Sequence, residues 1–530
     1  MFPTLRTLIS APYTAHGVLF SPATLCRPDS HSSFSKKNPL ASWRPHSTCR
    51  RSLRVPAAGG FPDAVFDQIK KLVGAEGETG PAGRKMKAKA FKDTAPSWSE
   101  LEALVEQQKG VLGVEDDDLE SGPPNPLSLK RTFGKDEPIR VKLYRDHAAW
   151  CPYCQKVWIQ LEEKKIPYEI EKINMRCYGD KKPSFLKITP MGLLPVMEFK
   201  GNAITESERI MKILEKEYPE NPLLPAEGTP EMDRASKLFR LERACFSAWC
   251  GWLCSAWAQE SQKKSFEAAM SEVDRQLGAT DSPYFLEDFS MVDIVFSPFL
   301  ERMDASITYY KGFRMRGEGR FPNIDRWFEA MEARPTYIAT KSDYYTHAHA
   351  LPPQLGGCEM VKEGEPVAAR IDGGEWSYPL SPLDGKSFEP YSPGESPPVD
   401  RFLAGKRLVE NRVAVTKFAL RGCGEEGRPV MAPLSNPNAI PNEDYHQDVD
   451  GALRHVAHAL LIGVEEKQSL EKNALSVVGS EGGGEALAGQ PTYVALGYLR
   501  DRVGVPRDLK LPAARQLRSH LTWIMSSITA

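Results

Sequence analysis

The chain lacks any apolar run of membrane-spanning length: stretches such as Ala459–Val464 fall far short of the roughly 20 residues a transmembrane helix needs. No membrane insertion is therefore expected. Cysteine is scarce as well, with 10 in 530 residues. That density is too low for the disulfide framework by which small secreted domains replace a core, so most thiols are expected to be reduced. An excess of basic charge is also missing, since 68 Lys and Arg stand against 70 Asp and Glu for a net charge of -2. A body without a basic stripe cannot neutralise many phosphates, and nucleic acid is not expected as a partner. No internal repeat is evident. What remains is 41% hydrophobic and 26% charged, the composition of a globular protein. Single cores stop growing near ~250–300 residues, so at least two packed units are expected.

Acids are nearly absent from the first 60 residues. Asp29 alone faces Arg6, Arg27, Lys36, Lys37, Arg44, Arg50, Arg51 and Arg54. Serine is abundant there and no secretory-type apolar core exists, which is the composition of an organellar transit peptide; a disordered basic tail is the plainer alternative. Serine outnumbers arginine and the first turn has no basic amphipathic face, so residues 1–58 are read as a chloroplast transit peptide, with the mitochondrion as the alternative. Residues 59–137 are read as a linker with short helices, at Ala64–Val73 and Trp98–Gln108, broken by the Gly/Pro/acid-rich stretch Glu115–Pro126.

The pattern changes over residues 138–220. Ile139, Val141 and Leu143 alternate as in a strand, Pro152–Lys164 carries helical spacing through Val157, Trp158 and Leu161, and Tyr168–Ile173 returns to strand. Leu194–Phe199 and Ala203–Thr205 flank the turn Lys200-Gly201-Asn202, and Ser207–Tyr218 resumes a helical period. The order βαβ, connection, ββα is that of a thioredoxin-like α/β domain. Residues 228–346 read as all-α, with Ser290 and Asp293 forming an N-terminal cap before the apolar run Ile294–Leu300. An irregular linker is expected over 347–398. A helical C-terminal extension over 399–530 follows, with helical patterns at Val399–Ala419, Val449–Val464, Tyr493–Val503 and Pro512–Ser526.

The strongest local signal is Trp150-Cys151-Pro152-Tyr153-Cys154, between a strand and a helix. A sulfur at a helix N-terminus faces unpaired N–H groups and the positive end of the helix dipole, which favour thiolate over thiol. Cys151 is accordingly expected to ionise more readily than a free cysteine of pKa ~8.5. Pro152 suits the first helical turn, where its missing N–H costs nothing. Cys154, one turn inward, is expected to be more buried and to act as a resolving thiol. Two plainer readings stand beside this one: a zinc site, for which no second CxxC or matched His pair is at hand, and a pair that simply packs.

On these residues, the stretch 139–219 resembles the N-terminal domain of the glutathione transferase superfamily, and its CPYC pair is similar to that of dithiol glutaredoxins. Among the transferases the likeness is to the cysteine-type classes, omega and dehydroascorbate reductase. It continues through Phe289-Ser290-Met291-Val292-Asp293 and Pro298-Phe299-Leu300-Glu301-Arg302, which resemble the helical omega C-terminal domain. The resemblance implies a glutathione site: Leu194 and Pro195 at a cis-proline step meeting the cysteinyl part, Glu206 and Ser207 meeting the γ-glutamyl end, and Lys182 meeting the glycyl carboxylate. Plainer roles exist for three of these, Glu206 and Ser207 as helix-start residues and Lys182 as part of a solvated loop. In this superfamily the helix carrying Cys245, Trp249, Cys250, Trp252, Cys254 and Trp257 borders the acceptor pocket, so Trp249 or Cys250 is a candidate acceptor contact and core packing the favoured role. His455 and His458 have no further ligand in sight and are read as surface or packing.

Cys154 stands where omega-like enzymes commonly have another residue, which favours reductase chemistry through an internal disulfide. The region beyond Cys358 resembles uncharacterised extensions of plant and algal transferase-like proteins, with no activity attached. The expectation is a chloroplast-stromal, glutathione-dependent thiol transferase or reductase. It would act through Cys151 and Cys154 with glutathione as cosubstrate and no metal, on a small-molecule or protein-disulfide acceptor; the resemblance implies either a homodimer of the transferase type or a chain whose added domain blocks or replaces that interface. Two alternatives are a non-catalytic interaction scaffold that keeps the transferase fold, and a dithiol glutaredoxin-like protein disulfide oxidoreductase.

Overall fold

The computed structural model describes residues 94–381, 383, 387–389, 396–428, 432–465, 467 and 490–529. The segment 1–58 and the helical pattern Ala64–Val73 lie outside them. Helix α1 (Trp98–Leu112) is followed by strands β1 (Lys130–Arg131) and β2 (Val141–Asp146), helix α2 (Pro152–Glu163), strand β3 (Tyr168–Ile173) and helix α3 (Pro183–Ile188). Strands β4 (Val196–Phe199) and β5 (Asn202–Thr205) and helix α4 (Ser207–Glu217) complete a thioredoxin-like α/β unit.

The sheet has 5 strands in the order β1-β3-β2-β4-β5. β2 and β3 are parallel, as a crossover through α2 requires, while β4 and β5 form an antiparallel hairpin. Its turn holds Lys200 at φ 50° and Gly201 at φ 75°, the left-handed pair that matches strand twist. The register fixes which loops meet. Asp146 pairs with Ile173, Tyr144 with Val196, and Val196 with Thr205. The ends of β2, β3 and β5 and the start of β4 therefore share one end of the sheet. Strand β1, too short to show a period, was not expected; its Arg131 is buried and ion-pairs with Glu162 of α2 at 3.0 Å.

The all-α unit comprises α5 (Pro230–Cys254), α6 (Gln259–Leu277), α7 (Met291–Lys311), α8 (Pro322–Glu332), α9 (Pro335–Thr340) and α10 (Tyr344–Leu355). Helix α7 is buried along its whole length. Ser290 and Asp293 form its capping box, and Asp293 also accepts from Trp327 Nε1 at 2.9 Å. The α/β unit and these helices share one hydrophobic core. The segment expected to be irregular, 347–398, instead begins inside α10 and contains α11 (Glu365–Ala369). Pro352 and Pro353 in the last turn of α10 had masked its helical pattern.

The C-terminal region is a further helical unit: α12 (Pro397–Glu410), α13 (Arg412–Ala419), α14 (His446–Ile462), α15 (Gln490–Arg500) and α16 (Leu511–Thr529). The pattern read as continuous over 399–419 breaks at Asn411, where φ is -110° and ψ 14°. Helix α1, read as part of a linker, buries Leu101 and Val105 in the core of this unit. Its Trp98 Nε1 donates to Asp450 on α14 at 2.8 Å. No helix among the described residues is long and apolar enough to cross a membrane.

Candidate active site

Strand β2 ends at Asp146, and a turn with Ala149 at φ 62° delivers Trp150 and Cys151 to the start of α2. Cys151 is the N-cap residue in extended conformation (φ -77°, ψ 117°), with Pro152 in the first turn. Its side chain makes no capping bond, so the sulfur is left for other chemistry beside the unpaired amides of that turn. Cys151 is 9% exposed and Cys154 1%. Burial first, then the hydrogen bond and charge of Cys151, push the Cys154 thiol well above its ordinary range.

Asp146 completes this centre. One donor atom from each of Asp146, Cys151 and Cys154 lies within 4.8 Å of the others. Oδ2 accepts the Trp150 N–H at 2.7 Å, whereas buried Oδ1 has no hydrogen-bond partner among the described residues. A carboxylate so placed can take up or return a thiol proton. Two sulfurs and a carboxylate are also a donor set that a thiophilic cation could share.

The shared end of the sheet gathers the other expected residues. The Leu194–Pro195 peptide is cis, with Pro195 buried and Leu194 half-buried at the entry to β4. After β5, Glu206 takes φ 68° and ψ 110° as the exposed N-cap of α4, and Ser207 is buried in its first turn. Such a backbone is rare for a residue with a Cβ and marks a position worth a functional question. Lys182 is the exposed N-cap of α3. Its neighbour Lys181 is the more inward-facing: the ammonium donates to the Asn174 carbonyl and lies in the field of Cys154, Cys151 and Asp146. Burial lowers the Lys181 pKa.

Several groups that sequence reasoning missed hold the cysteine turn from outside the α/β unit. Arg302 of α7, buried, donates to the Trp150 carbonyl at 2.7 Å and to Gln155 Oε1 of α2 at 2.8 Å, and its charge interacts with Cys151. Tyr153 packs edge-on against Phe299 of α7 with ring centres 5.6 Å apart. Arg243 of α5 lies 4.8 Å from the same Phe299 ring. On the other side, Trp150 stacks edge-on with Tyr178 at 5.2 Å. Its indole N–H donates to the Val505 carbonyl of the C-terminal region at 3.3 Å. Among the remaining candidates, Trp249 is buried and donates to Ser306 Oγ at 2.9 Å, a core role. Cys250 is half-buried with its thiol pushed up to about 12 by burial. His455 is buried and bonded to Lys467 Nζ at 2.8 Å.

Comparison with known proteins agrees with this architecture. Residues 150–217 match the glutathione S-transferase N-terminal domain and residues 241–330 the glutathione S-transferase C-terminal domain. The two matches follow one another along the chain, the first on the α/β unit and the second on the all-α unit. Among its relatives is the glutathione S-transferase DHAR2 of Arabidopsis thaliana, 26% identical over 193 residues that span 36% of this chain and 84% of the relative. The chloroplastic glutathione S-transferase DHAR3 of the same plant is 27% identical over 195 residues, 36% of this chain and 69% of the relative. The crystal structure of glutathione transferase Omega 3C from Trametes versicolor matches with 27% identity over 39% of this chain and 91% of its own, at a TM-score of 0.35.

Proposed function

We propose that the protein is a glutathione-dependent thiol transferase or reductase in which Cys151 is the nucleophile and Cys154 the resolving thiol. The observation that carries this reading is the convergence on one sheet end of Cys151 at a helix start, the cis Leu194–Pro195 step and the Glu206-Ser207 corner. In a mixed disulfide of glutathione with an acceptor thiol, the Cys151 thiolate attacks the glutathione sulfur. The acceptor leaves as its thiolate and takes a proton, and a Cys151–glutathione disulfide remains. Cys154 then attacks Cys151 Sγ and expels glutathione, with Asp146 receiving the Cys154 proton. Alternatively a second glutathione attacks the adduct and departs as glutathione disulfide. Either route moves two electrons from thiols to the acceptor, and an oxidised small molecule of dehydroascorbate type is a second acceptor class with the same electron count.

Glutathione would lie with its cysteinyl backbone against Leu194, its γ-glutamyl ammonium facing the Glu206 carboxylate, its γ-glutamyl carboxylate facing the Ser207 hydroxyl and helix amides, and its glycyl carboxylate near Lys182. Each charge of the tripeptide then meets an opposite charge or hydrogen-bond donors. The acid-poor first 58 residues and the chloroplastic relative support a plastid location. The test is to trap the intermediate: exposing the reduced chain to a glutathione mixed disulfide should yield a glutathione adduct on Cys151 in the Cys154→Ser variant. An internal Cys151–Cys154 disulfide is expected in the unsubstituted chain. Absence of both products, with no turnover, would favour a non-catalytic scaffold. Turnover that survives in Cys154→Ser identifies the second-glutathione route, and turnover that is lost identifies the dithiol route.

A further inference from the structure

Helix α5 ends at Cys254, and the chain after α10 passes this end as a strap, Gly356–Val361. The Glu359 N–H donates to the Leu253 carbonyl at 2.8 Å, so the residues flanking that bond, Cys254 and Cys358, are brought opposite one another. Two further bonds pin the strap to the end of α7: Lys311 Nζ donates to the Glu359 carbonyl at 2.7 Å, and the Val361 N–H donates to the Tyr310 carbonyl at 3.0 Å. Both residues are half-buried, within reach of a small oxidant. The interaction with Cys358 lowers the Cys254 pKa against the effect of burial, with the Lys311 charge assisting. Cys358 is driven the other way by burial. The pair thus divides into a nucleophile and its partner, as in a working dithiol.

We propose that Cys254 and Cys358 form a second dithiol, separate from Cys151 and Cys154, which glutathione disulfide oxidises reversibly to a disulfide that locks the strap Gly356–Val361 to the end of α5. The Cys254 thiolate attacks one sulfur of glutathione disulfide, forming a Cys254–glutathione bond and releasing one glutathione thiolate, which takes a proton from water. Cys358 gives up its proton and attacks Cys254 Sγ, and the second glutathione leaves with that proton. Two thiols and one glutathione disulfide become one protein disulfide and two glutathiones; excess glutathione runs the sequence backwards. Cys250, one turn earlier on α5 and held as the thiol by burial, is the competing partner. The inference does not rest on the function proposed for Cys151, because glutathione disulfide acts here only as a solution oxidant.

The experiment uses the full chain carrying Cys151→Ser and Cys154→Ser, equilibrated in glutathione buffers of rising disulfide content, alkylated, and mapped by proteolysis without reduction. The expected result is the loss of two alkylatable thiols together with a Cys254–Cys358 cross-linked peptide, both reversed by excess glutathione. Adding Cys358→Ser should abolish the cross-link and leave a glutathione adduct on Cys254. Full alkylation of both cysteines at the highest glutathione disulfide, or a cross-link joining Cys254 to Cys250, would overturn the proposal. Mapping the unsubstituted chain in parallel guards against a variant that fails to fold: the same cross-link is expected, and its absence counts against the pair.

Discussion

The indole N–H of Trp150 donates to the carbonyl of Val505, 3.3 Å away and 355 positions along the chain. Through this bond the C-terminal helical region touches the residue immediately before Cys151. The loop that supplies Val505 is fixed both by the all-α unit and by its own region. The Val505 N–H donates to Thr346 Oγ1 at 3.3 Å and its carbonyl also accepts from Ser342, while Arg518 of α16 donates to the Val503 carbonyl at 2.7 Å. Arg507 lies 5.0 Å from the centre of the Trp150 indole. The cysteine turn is thus held by the α/β unit, by α7 and by the extension together.

Gly504 is the tightest point of that contact. A Cβ there would sit 2.8 Å from Trp150 Cζ2 and 3.2 Å from Arg507 Cζ. The buried indole is rigid, so Gly504→Ala should act as overpacking and destabilise by about 1–3 kcal/mol. It should also slow alkylation of Cys151 severalfold at temperatures where the chain remains folded. Denaturant unfolding and iodoacetamide kinetics on the same sample check both halves.

The lysine pair separates two roles. Lys182→Met should raise the KM for glutathione by up to about 5-fold with kcat nearly unchanged, since an exposed charge pair contributes up to about 1 kcal/mol. Lys181→Met removes the charge that faces the two sulfurs. It should lower kcat more than it raises KM, and steady-state kinetics over a range of glutathione concentrations distinguishes the two patterns.

At Glu206 the backbone itself carries a cost. A non-glycine residue at φ 68°, ψ 110° stores roughly 1–3 kcal/mol, part of which glycine would relieve. Glu206→Gly should therefore leave unfolding stability unchanged or higher while glutathione affinity falls about 10-fold, the loss of one charge-assisted contact. Calorimetric titration with glutathione, alongside thermal unfolding, reads the two effects separately.

Acid should loosen the C-terminal region through His520. Its ring is buried on α16, and burial, partly opposed by the hydrogen bond to the Gln516 carbonyl, lowers its pKa to about 4 from 6.5. The unfolded chain then binds the proton more readily than the folded one between those values. Stability is full above the unfolded pKa and falls as pH drops through the window, by up to about 3 kcal/mol near the lower end. His520→Gln should flatten this part of the stability-versus-pH curve, measured by denaturant unfolding between pH 4 and pH 7.

How much of this was readable beforehand follows from chain distance. Leu194-Pro195 and Glu206-Ser207 were singled out only through the family resemblance, whereas the βαβ, ββα order and the cysteine pair at a strand-to-helix step are short contiguous signals whose chemistry is local. Ser290 and Asp293 announced a helix start for the same reason, and the structure has the capping box there. Asp146 was missed because only the turn through Ala149 brings its carboxylate back to sulfurs that lie 5 and 8 positions later. Arg302 and Val505 reach Trp150 from 152 and 355 positions away, beyond any periodic pattern. Helix α1 looked like part of a linker because its apolar face is narrow and its partners, among them Phe402 and Val456, come some 300 residues later.

The central claim concerns the reactivity of one thiol beside a bound tripeptide. The most direct measurement is the rate of iodoacetamide labelling of Cys151, followed by peptide mapping, with and without glutathione. The account predicts that Cys151 is labelled in the reduced chain and that glutathione suppresses the labelling. Labelling of Cys151 that glutathione leaves unchanged would contradict it.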